Sequence, residues 1–465
     1  MSEIKLGKQE VIHFVGIGGI GMSGLAQIMK TMGFKVQGSD LNKNKNTENC
    51  KNLGIKILTG HKKKNTNKVT IIVKSSAIKS NNIELLEGKK KNIPIYDRIE
   101  MLANIIDLKK NIIITGSHGK TTTTSLVANI ISTARLDPTI INGGVINSLK
   151  NNAKLGQGEW AVVEADESDG SFLKVPINYS IVTNIDKEHI EYYKNFNNLL
   201  KAFKIFIEKT PPIGKSFLFL DDLNIKKIIR KLKTKNYFTY GFHKNANYQV
   251  CNPKYEINCT KFDLKIKNVG SKNLHIKNIL LNLIGKHNVL NATAAISLCL
   301  NLGLKENVIK KALKNFSGVQ RRLTKVFKRN KVEFYDDYAH HPTEIKSVLE
   351  GVRIVAPRRK IISVFQPHRY SRIKSLKLQF ASCFKASDQV ILCPMYAAGE
   401  PIDKTFNKKK FAKLISKFSK VQVILIENEN DLTKYCRKNL IKDEIVIGMG
   451  AGSISKWIYN LKETL

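Results

Sequence analysis

The run Ile112-Ile113-Ile114-Thr115-Gly116-Ser117-His118-Gly119-Lys120-Thr121-Thr122-Thr123 joins an apolar strand to a turn framed by two glycines, a lysine and a row of hydroxyls. It continues into Ser125-Leu126-Val127-Ala128-Asn129-Ile130, which reads as a helix. A strand-to-helix turn of this kind leaves backbone N–H groups unpaired beside the positive end of a helix dipole, a seat for phosphate oxygens. Lys120 adds a point charge for terminal phosphates, and Thr121 a hydroxyl for Mg2+. The usual phosphate loop has a further glycine five residues before Gly119; this chain has Ile114 there, so the loop is a shortened Gly-x-x-Gly-Lys-Thr. The motif predicts ATP bound by Gly116, Ser117, His118, Gly119, Lys120, Thr121 and Thr122. The plainer alternative is a tight turn with an incidental lysine.

Carboxylates gather downstream. Trp160-Ala161-Val162-Val163 reads as a strand that delivers Glu164, Asp166, Glu167 and Asp169 at its C-terminal end. A further strand, residues 180–185, runs into Asp186, Glu188 and His189. Ligands of open α/β sheets bind at that edge. Mg2+ prefers oxygen, so Thr121 and Glu164 form the expected first pair, with His189 expected on a second ion. A second glycine turn, Gly16-x-Gly18-Gly19-x-Gly21, follows the apolar residues 11–15, and Asp40 lies 19 residues beyond its last glycine. Strand, turn, helix and acid in that order predict a nucleotide diphosphate site, with Ser75 and Ser76 ending a neighbouring strand. Towards the C-terminus, Asp336-Asp337-Tyr338-Ala339-His340-His341 and Gln366-Pro367-His368-Arg369-Tyr370-Ser371-Arg372 read as loops after apolar strands. Arg369 and Arg372 have the forked donors that clamp a carboxylate. Two nucleotide-type sites and a carboxylate clamp point to joining two molecules rather than to hydrolysis.

The elements that position these residues alternate strand and helix nearly throughout, the pattern of parallel α/β sheets. At 465 residues the chain exceeds what one core supports, and three blocks emerge: 1–108, 109–322 and 323–465. Residues 241–285 read as a small β excursion, and the Lys/Asn patches 42–46 and 61–68 as solvated loops. No apolar run approaches the ~20 residues of a membrane span. Seven scattered cysteines without a Cys-x-x-Cys pair fit reduced thiols in a cytoplasm and argue against a zinc site. The net charge of +40 invites a nucleic-acid reading. However, only 12 of the 78 basic residues are arginine, and the lysines are spread evenly beside abundant Asn and Ile. That is the signature of an A/T-rich coding sequence rather than of a binding stripe, so no nucleic-acid partner is expected.

Taken together, these motifs resemble the Mur ligases of peptidoglycan synthesis. The resemblance rests on His13-Phe14-Val15-Gly16-Ile17-Gly18-Gly19-Ile20-Gly21-Met22-Ser23-Gly24, Gly116-Ser117-His118-Gly119-Lys120-Thr121, Glu164-Ala165-Asp166-Glu167-Ser168-Asp169, Asp336-Asp337-Tyr338-Ala339-His340-His341-Pro342 and Gln366-Pro367-His368-Arg369-Tyr370. It implies an α/β protein of three domains: a Rossmann-like N-terminal domain for a UDP-sugar, a P-loop-type central ATPase domain with a mainly parallel sheet, and a Rossmann-like C-terminal domain. The implied reaction joins L-alanine to the lactoyl carboxylate of UDP-N-acetylmuramate, through an acyl phosphate, with ATP and Mg2+. The implied UDP-sugar residues are Gly16, Gly18, Gly19, Gly21, Ser39, Asp40, Ser75 and Ser76. Lys120, Glu164, His189 and Arg322 are the implied catalytic set, with Thr121 and Glu164 on one magnesium, and Glu164 with His189 on another. Asn288 and Asn291 would line the adenine, Asp337 would position the nucleotide, and Tyr338, His340, Arg369 and Arg372 would orient the amino acid and the carboxylate. Ser117 and Ala339 replace the family's usual threonine and glycine, and neither Lys201 nor Lys204 fits the carbamylated lysine of sister enzymes. Oligomeric state is left open. Three rivals stand beside this reading: a ligase for a preformed tripeptide, a nicotinamide-linked oxidoreductase, which leaves Lys120 and Glu164 unexplained, and a polyanion-binding protein.

Overall fold

The computed structural model describes residues 6–7, 9–256, 258–269, 274–441 and 443–465. Runs rich in Ile and Val form the strands, and they assemble into three separate, mainly parallel sheets, the three-domain α/β architecture expected. In the first sheet the strand order is Lys56–Thr59, Lys35–Asp40, Val11–Val15, Ile71–Lys74 and Ile95–Asp97, all neighbours parallel. The chain winds outward from Val11–Val15 in one direction and then returns to build the other side. The crevice beyond the C-terminal ends of Val11–Val15 and Ile71–Lys74 is therefore the topological switch point, where such sheets take ligands.

The second sheet has ten strands. Lys110–Thr115 lies between Tyr179–Val182 and Trp160–Glu164 and is parallel to both. Thr139–Ile146 follows parallel, and Asn151–Lys154 closes that edge antiparallel. On the other side come Ser216–Phe219, Tyr237–Gly241, Tyr248–Tyr255, Thr260–Ile266 and Leu274–Leu281. The expected excursion at 241–285 thus supplies the last three strands of this sheet.

The third sheet runs Thr324–Arg329, Val332–Asp337, Ile445–Met449, Ile361–Phe365, Gln389–Leu392 and Gln422–Leu425. Its first pair is antiparallel and the others are parallel. Asp336 and Asp337, expected in a loop, end the strand Val332–Asp337, and both are buried. The Lys/Asn patches also differ from solvated loops. Asn44 caps the helix Lys45–Asn52 in a reciprocal capping box with Thr47. Asn65 and Thr66 are buried.

The chain divides into two compact units. One runs to Pro253 and adds Phe262–Leu281 and Leu290–Ser317; the other holds residues 254–261 and 282–289 and everything from Gly318 onward. Within the first unit the helix Ile20–Thr31 packs on Thr139–Ile146 and Asn151–Lys154. Asn152 Nδ2 donates to Ile20 O at 2.8 Å, and Met22, Leu25, Ile141 and Ala153 belong to one apolar core. Among the described residues no helix is long and apolar enough to cross a membrane.

Candidate active site

Ile112, Ile113 and Ile114 are fully buried in Lys110–Thr115, which anchors the turn 116–119 at the C-terminal edge of the sheet. Gly119 caps the helix Lys120–Thr133 at φ +82°, and a Cβ there would lie 2.5 Å from Asn291 Oδ1. Left-handed backbone and close approach both demand glycine at that position. The end of the neighbouring strand stitches the turn from the side. Ser117 N donates to Asn184 O and His118 N to Asn184 Oδ1, each at 2.9 Å. Thr183 Oγ1 and Asn184 Nδ2 donate to His118 O at 2.7 and 2.9 Å. Asp186 N donates to Ser117 Oγ at 2.8 Å, and its carboxylate lies 3.2 Å from His118 Nε2. Thr183 and Asn184 escaped the sequence reading, because a Thr-Asn pair past a strand follows no spacing rule.

Lys120 Nζ donates to Glu167 Oε2 and to Gly116 O, each at 2.7 Å. Burial opposes its charge, but the carboxylates of Glu167, Asp166 and Glu164 hold its pKa well above the usual lysine value. Burial pushes Glu167 up, against the pull of Lys120. Thr121 Oγ1 donates to Glu164 Oε1 at 3.1 Å, and Gly143 N donates to Glu164 Oε2 at 2.7 Å. A Cβ on Gly143 would sit 2.4 Å from Glu164 Oε1, so this strand residue is a second position that the site reserves for glycine. Burial raises the Glu164 pKa above the ordinary carboxylate range.

His189 groups differently from the expectation. Its Nε2 lies 3.6 Å from Glu167 Oε1 and 3.9 Å from Glu188 Oε2, and these three residues offer ligand atoms within 4.8 Å of one another. Glu164, the partner expected for His189, is instead engaged by Thr121 and Gly143, because it ends its strand facing them. Glu167 Oε1 is buried without a hydrogen-bond partner, an acceptor suited to a cation. An oxygen-rich set with one imidazole fits a divalent ion such as Mg2+. Lys204 is paired with Glu208 at 3.4 Å.

The glycine turn of the first sheet lies at its switch point. Gly16 N and Ile17 N donate to Ser39 O at 2.9 and 3.0 Å, and Gly18 N donates to Asp40 Oδ2 at 2.8 Å. Gly19 caps the helix Ile20–Thr31 with no side-chain cap, and Gly21 packs against Arg98. Ser75 closes the other side, where a Cβ on Gly16 would lie 3.4 Å from Ser75 Cβ, and Ser76 is exposed. The Ser39 hydroxyl is buried and donates to Glu84 at 2.6 Å, so Ser39 shapes the turn through its carbonyl.

The second unit collects the C-terminal residues. Arg321 and Arg322 lie 4.8 and 5.7 Å over the Tyr338 ring, and Arg322 reaches Glu344 at 3.6 Å. Asp337 accepts from Leu323 N at 2.6 Å and Ala339 N at 2.7 Å; burial pushes its pKa up to about 6. The rings of Tyr338, His340, His368 and Tyr396 form a continuous row, each within 5.7 Å of the next. Arg372 Nη1 donates to His368 Nδ1 at 3.1 Å; burial and the neighbouring cations lower the His368 pKa to about 3. Arg369 has φ +68°, a strained conformation of the kind stored at functional sites, and its Nε is 3.9 Å from Glu400. Asn288 Nδ2 donates to Ile284 O at 2.8 Å, one turn before Asn291 on the helix Lys286–Asn301. Lys120, Glu164, His189 and Asn291 thus lie in the first unit, and Arg322, Asp337, Tyr338, His340, Arg369, Arg372 and Asn288 in the second.

Three family models match in series: the Mur ligase family catalytic domain over residues 11–110, the Mur ligase middle domain over 114–299 and the Mur ligase glutamate ligase domain over 321–452. The UDP-N-acetylmuramate–L-alanine ligase of Pelagibacter ubique is 55% identical over 463 residues, 100% of both chains. That of Agrobacterium fabrum is 41% identical, covering 98% of this chain and 97% of its own. The crystal structure of the UDP-N-acetylmuramate–alanine ligase of Thermotoga maritima superposes with a TM-score of 0.82 at 28% identity, covering 97% of this chain and 98% of that one. A murein peptide ligase from Psychrobacter arcticus shares the fold, with a TM-score of 0.72 at 19% identity over 98% of both chains.

Proposed function

The chain belongs to the Mur ligase family, and from that premise we propose that it joins L-alanine to the lactoyl carboxylate of UDP-N-acetylmuramate in peptidoglycan synthesis, converting ATP to ADP and phosphate. One observation carries the chemistry. Lys120, Thr121, Glu164 and Glu167 converge where the helix Lys120–Thr133 begins, at the C-terminal edge of a parallel sheet. The choice of L-alanine is supported by the full-length likeness to ligases that bear its name.

In this reading residues 1–108 hold the UDP-sugar, 109–322 hold ATP, and 323–465 supply the amino-acid site. The backbone N–H groups of Gly119–Thr122 cradle the phosphates, those of Ser117 and His118 being taken by Asn184, and Lys120 neutralises charge on the terminal phosphates. Mg2+, held by Thr121 and Glu164 and by His189 with Glu167 and Glu188, would spread charge away from the transferring phosphoryl group. The lactoyl carboxylate oxygen attacks the γ-phosphorus as the bond to the β-phosphate oxygen breaks, giving an acyl phosphate. The alanine nitrogen then bonds to the acyl carbon, and inorganic phosphate leaves. Gly16, Gly18, Gly19, Gly21, Asp40, Ser75 and Ser76 line the UDP-sugar site, with Ser39 behind them. Asn288 and Asn291 line the adenine, and Arg322 and Asp337 act on the nucleotide. Tyr338, His340, Arg369 and Arg372 orient alanine and the carboxylate. Catalysis is then chiefly positioning and charge neutralisation. Seven free cysteines support a cytoplasmic setting.

The test is phosphate release from ATP with UDP-N-acetylmuramate, with and without L-alanine, beside Lys120→Ala. Release that needs both substrates and disappears in the variant is expected. Turnover that ignores the nucleotide sugar overturns the proposal, and activity with a tripeptide in place of alanine moves the assignment to the recycling ligase.

A further inference from the structure

The first sheet buries a carboxylate that the proposed chemistry does not use. Glu84, in the first turn of the helix Ile83–Lys90, has no exposed surface. Five donors surround it. Ser39 Oγ donates to Oε2 at 2.6 Å, and His61 Nδ1 and His13 Nε2 lie 3.2 and 3.3 Å from the same oxygen. Lys62 N and Asn65 Nδ2 donate to Oε1 at 3.3 and 2.5 Å. The Gln37 amide lies 3.3 Å from His13 Nδ1. Burial opposes the charge on Glu84, but hydrogen bonds from His13, Ser39 and Asn65 outweigh it, and the pKa falls to about 2.

These donors belong to the segments that build the switch point. Ser39 is the residue whose carbonyl receives Gly16 N and Ile17 N, and its neighbour Asp40 receives Gly18 N. Asp40 O in turn receives Gly60 N at 2.7 Å, directly before His61, and Asn65 Nδ2 also donates to Gly60 O at 3.0 Å. One carboxylate therefore ties together the strand Lys35–Asp40, the segment after Lys56–Thr59 and the helix that follows Ser75 and Ser76. A purely apolar core could fill the same space. A charge with five directed bonds instead sets where Ser39 and Asp40 stand, because each misplaced donor would leave a buried polar group unpaired.

We infer that Glu84 is a positioning residue for the UDP-sugar site, acting through Ser39 and His61 on the turn Gly16–Gly18. The inference rests on the proposed function above. With Glu84→Gln, one side-chain amide faces donors, so Ser39 and the turn lose their fixed place while the apolar core keeps its volume.

Direct titration of UDP-N-acetylmuramate into the full chain without ATP, together with steady-state kinetics, tests this. For Glu84→Gln the expected result is a rise of ~10-fold or more in the Kd and KM for UDP-N-acetylmuramate, with the KM for ATP and L-alanine within about twofold. Ser39→Ala removes one donor and leaves the other four, so it serves if Glu84→Gln does not fold; it should move the same two constants by ~3-fold or more. Kd and KM for the nucleotide sugar left unchanged in a folded variant, or a parallel rise in all three KM values, overturns the role. A wild-type chain that does not bind UDP-N-acetylmuramate overturns the proposed function, and this role with it.

Discussion

Replacing Lys120 by Met removes one partner of a buried ion pair and leaves the other in place. Glu167 is 1% exposed and Lys120 14%, and their charges meet at 2.7 Å. Breaking a buried pair costs ~3–5 kcal/mol, since the remaining charge has lost both water and partner. The residual exposure of Lys120 sets the expectation at the lower end, about 3 kcal/mol. At 2–4 °C per kcal/mol for a domain of this size, the melting temperature should fall by ~6–12 °C. Lys120→Met with Glu167→Gln removes both charges, and the double variant should recover to within about 1 kcal/mol of wild type. Phosphate release should be lost in Lys120→Met and in the double variant, because stability returns without the cation that faces the phosphates. The pH dependence has a definite sign. Without Lys120 the folded-state pKa of Glu167, already raised by burial, rises further above its unfolded value. The folded state then holds a proton that the unfolded chain releases, so the variant loses stability as pH rises from the unfolded pKa through the folded one. Its deficit should be smaller at pH 5 than at pH 8, as read by thermal melts across that range. A Lys120→Met chain that melts with wild type refutes the buried pair, and an active double variant refutes the role of the lysine.

Gly143→Ala places a methyl group 2.4 Å from Glu164 Oε1 and should displace that carboxylate, at a cost of ~1–3 kcal/mol in stability. The Mg2+ concentration for half-maximal phosphate release should rise several-fold; an unchanged Mg2+ requirement sinks the link between Gly143 and the Glu164 site. Asp337, with its pKa pushed to about 6, should set an acid limb near that pH in kcat/KM for ATP, and Asp337→Asn should abolish the limb along with most activity. Because the folded pKa lies above the usual 3.8, folding favours the protonated form, and wild type should lose about 3 kcal/mol of stability between roughly pH 4 and 6. A pH–stability slope identical in Asp337→Asn counts against that assignment.

Legibility in the sequence follows what each residue touches. Gly119, Lys120 and Thr121 stand out in the sequence because the proposed phosphate site needs a local order of glycine, cation and hydroxyl that no other need explains together. Asp40 was legible for the same reason, at a fixed distance from a glycine turn. Glu164 and Glu167 were both visible as carboxylates, yet their partners were not. The strand ends at Glu164, so that side chain faces Thr121, and the chain that bends away after it carries Glu167 to Lys120 and His189. Asp336 and Asp337 read as loop because acids crowd the C-terminal end of the strand Val332–Asp337. Its burial comes from pairing with Ile445–Met449, more than a hundred residues later. Glu84 is the extreme case. Its partner Ser39 lies 45 residues away, and an acid in the first turn of a helix is accounted for locally by the helix dipole. A residue that touches ligand must match ligand chemistry and leaves a motif, whereas a residue that holds another residue need only match geometry. The positioning layer around an active site is thus the part that folding alone reveals, and Glu84 is where that layer can be probed apart from the chemistry.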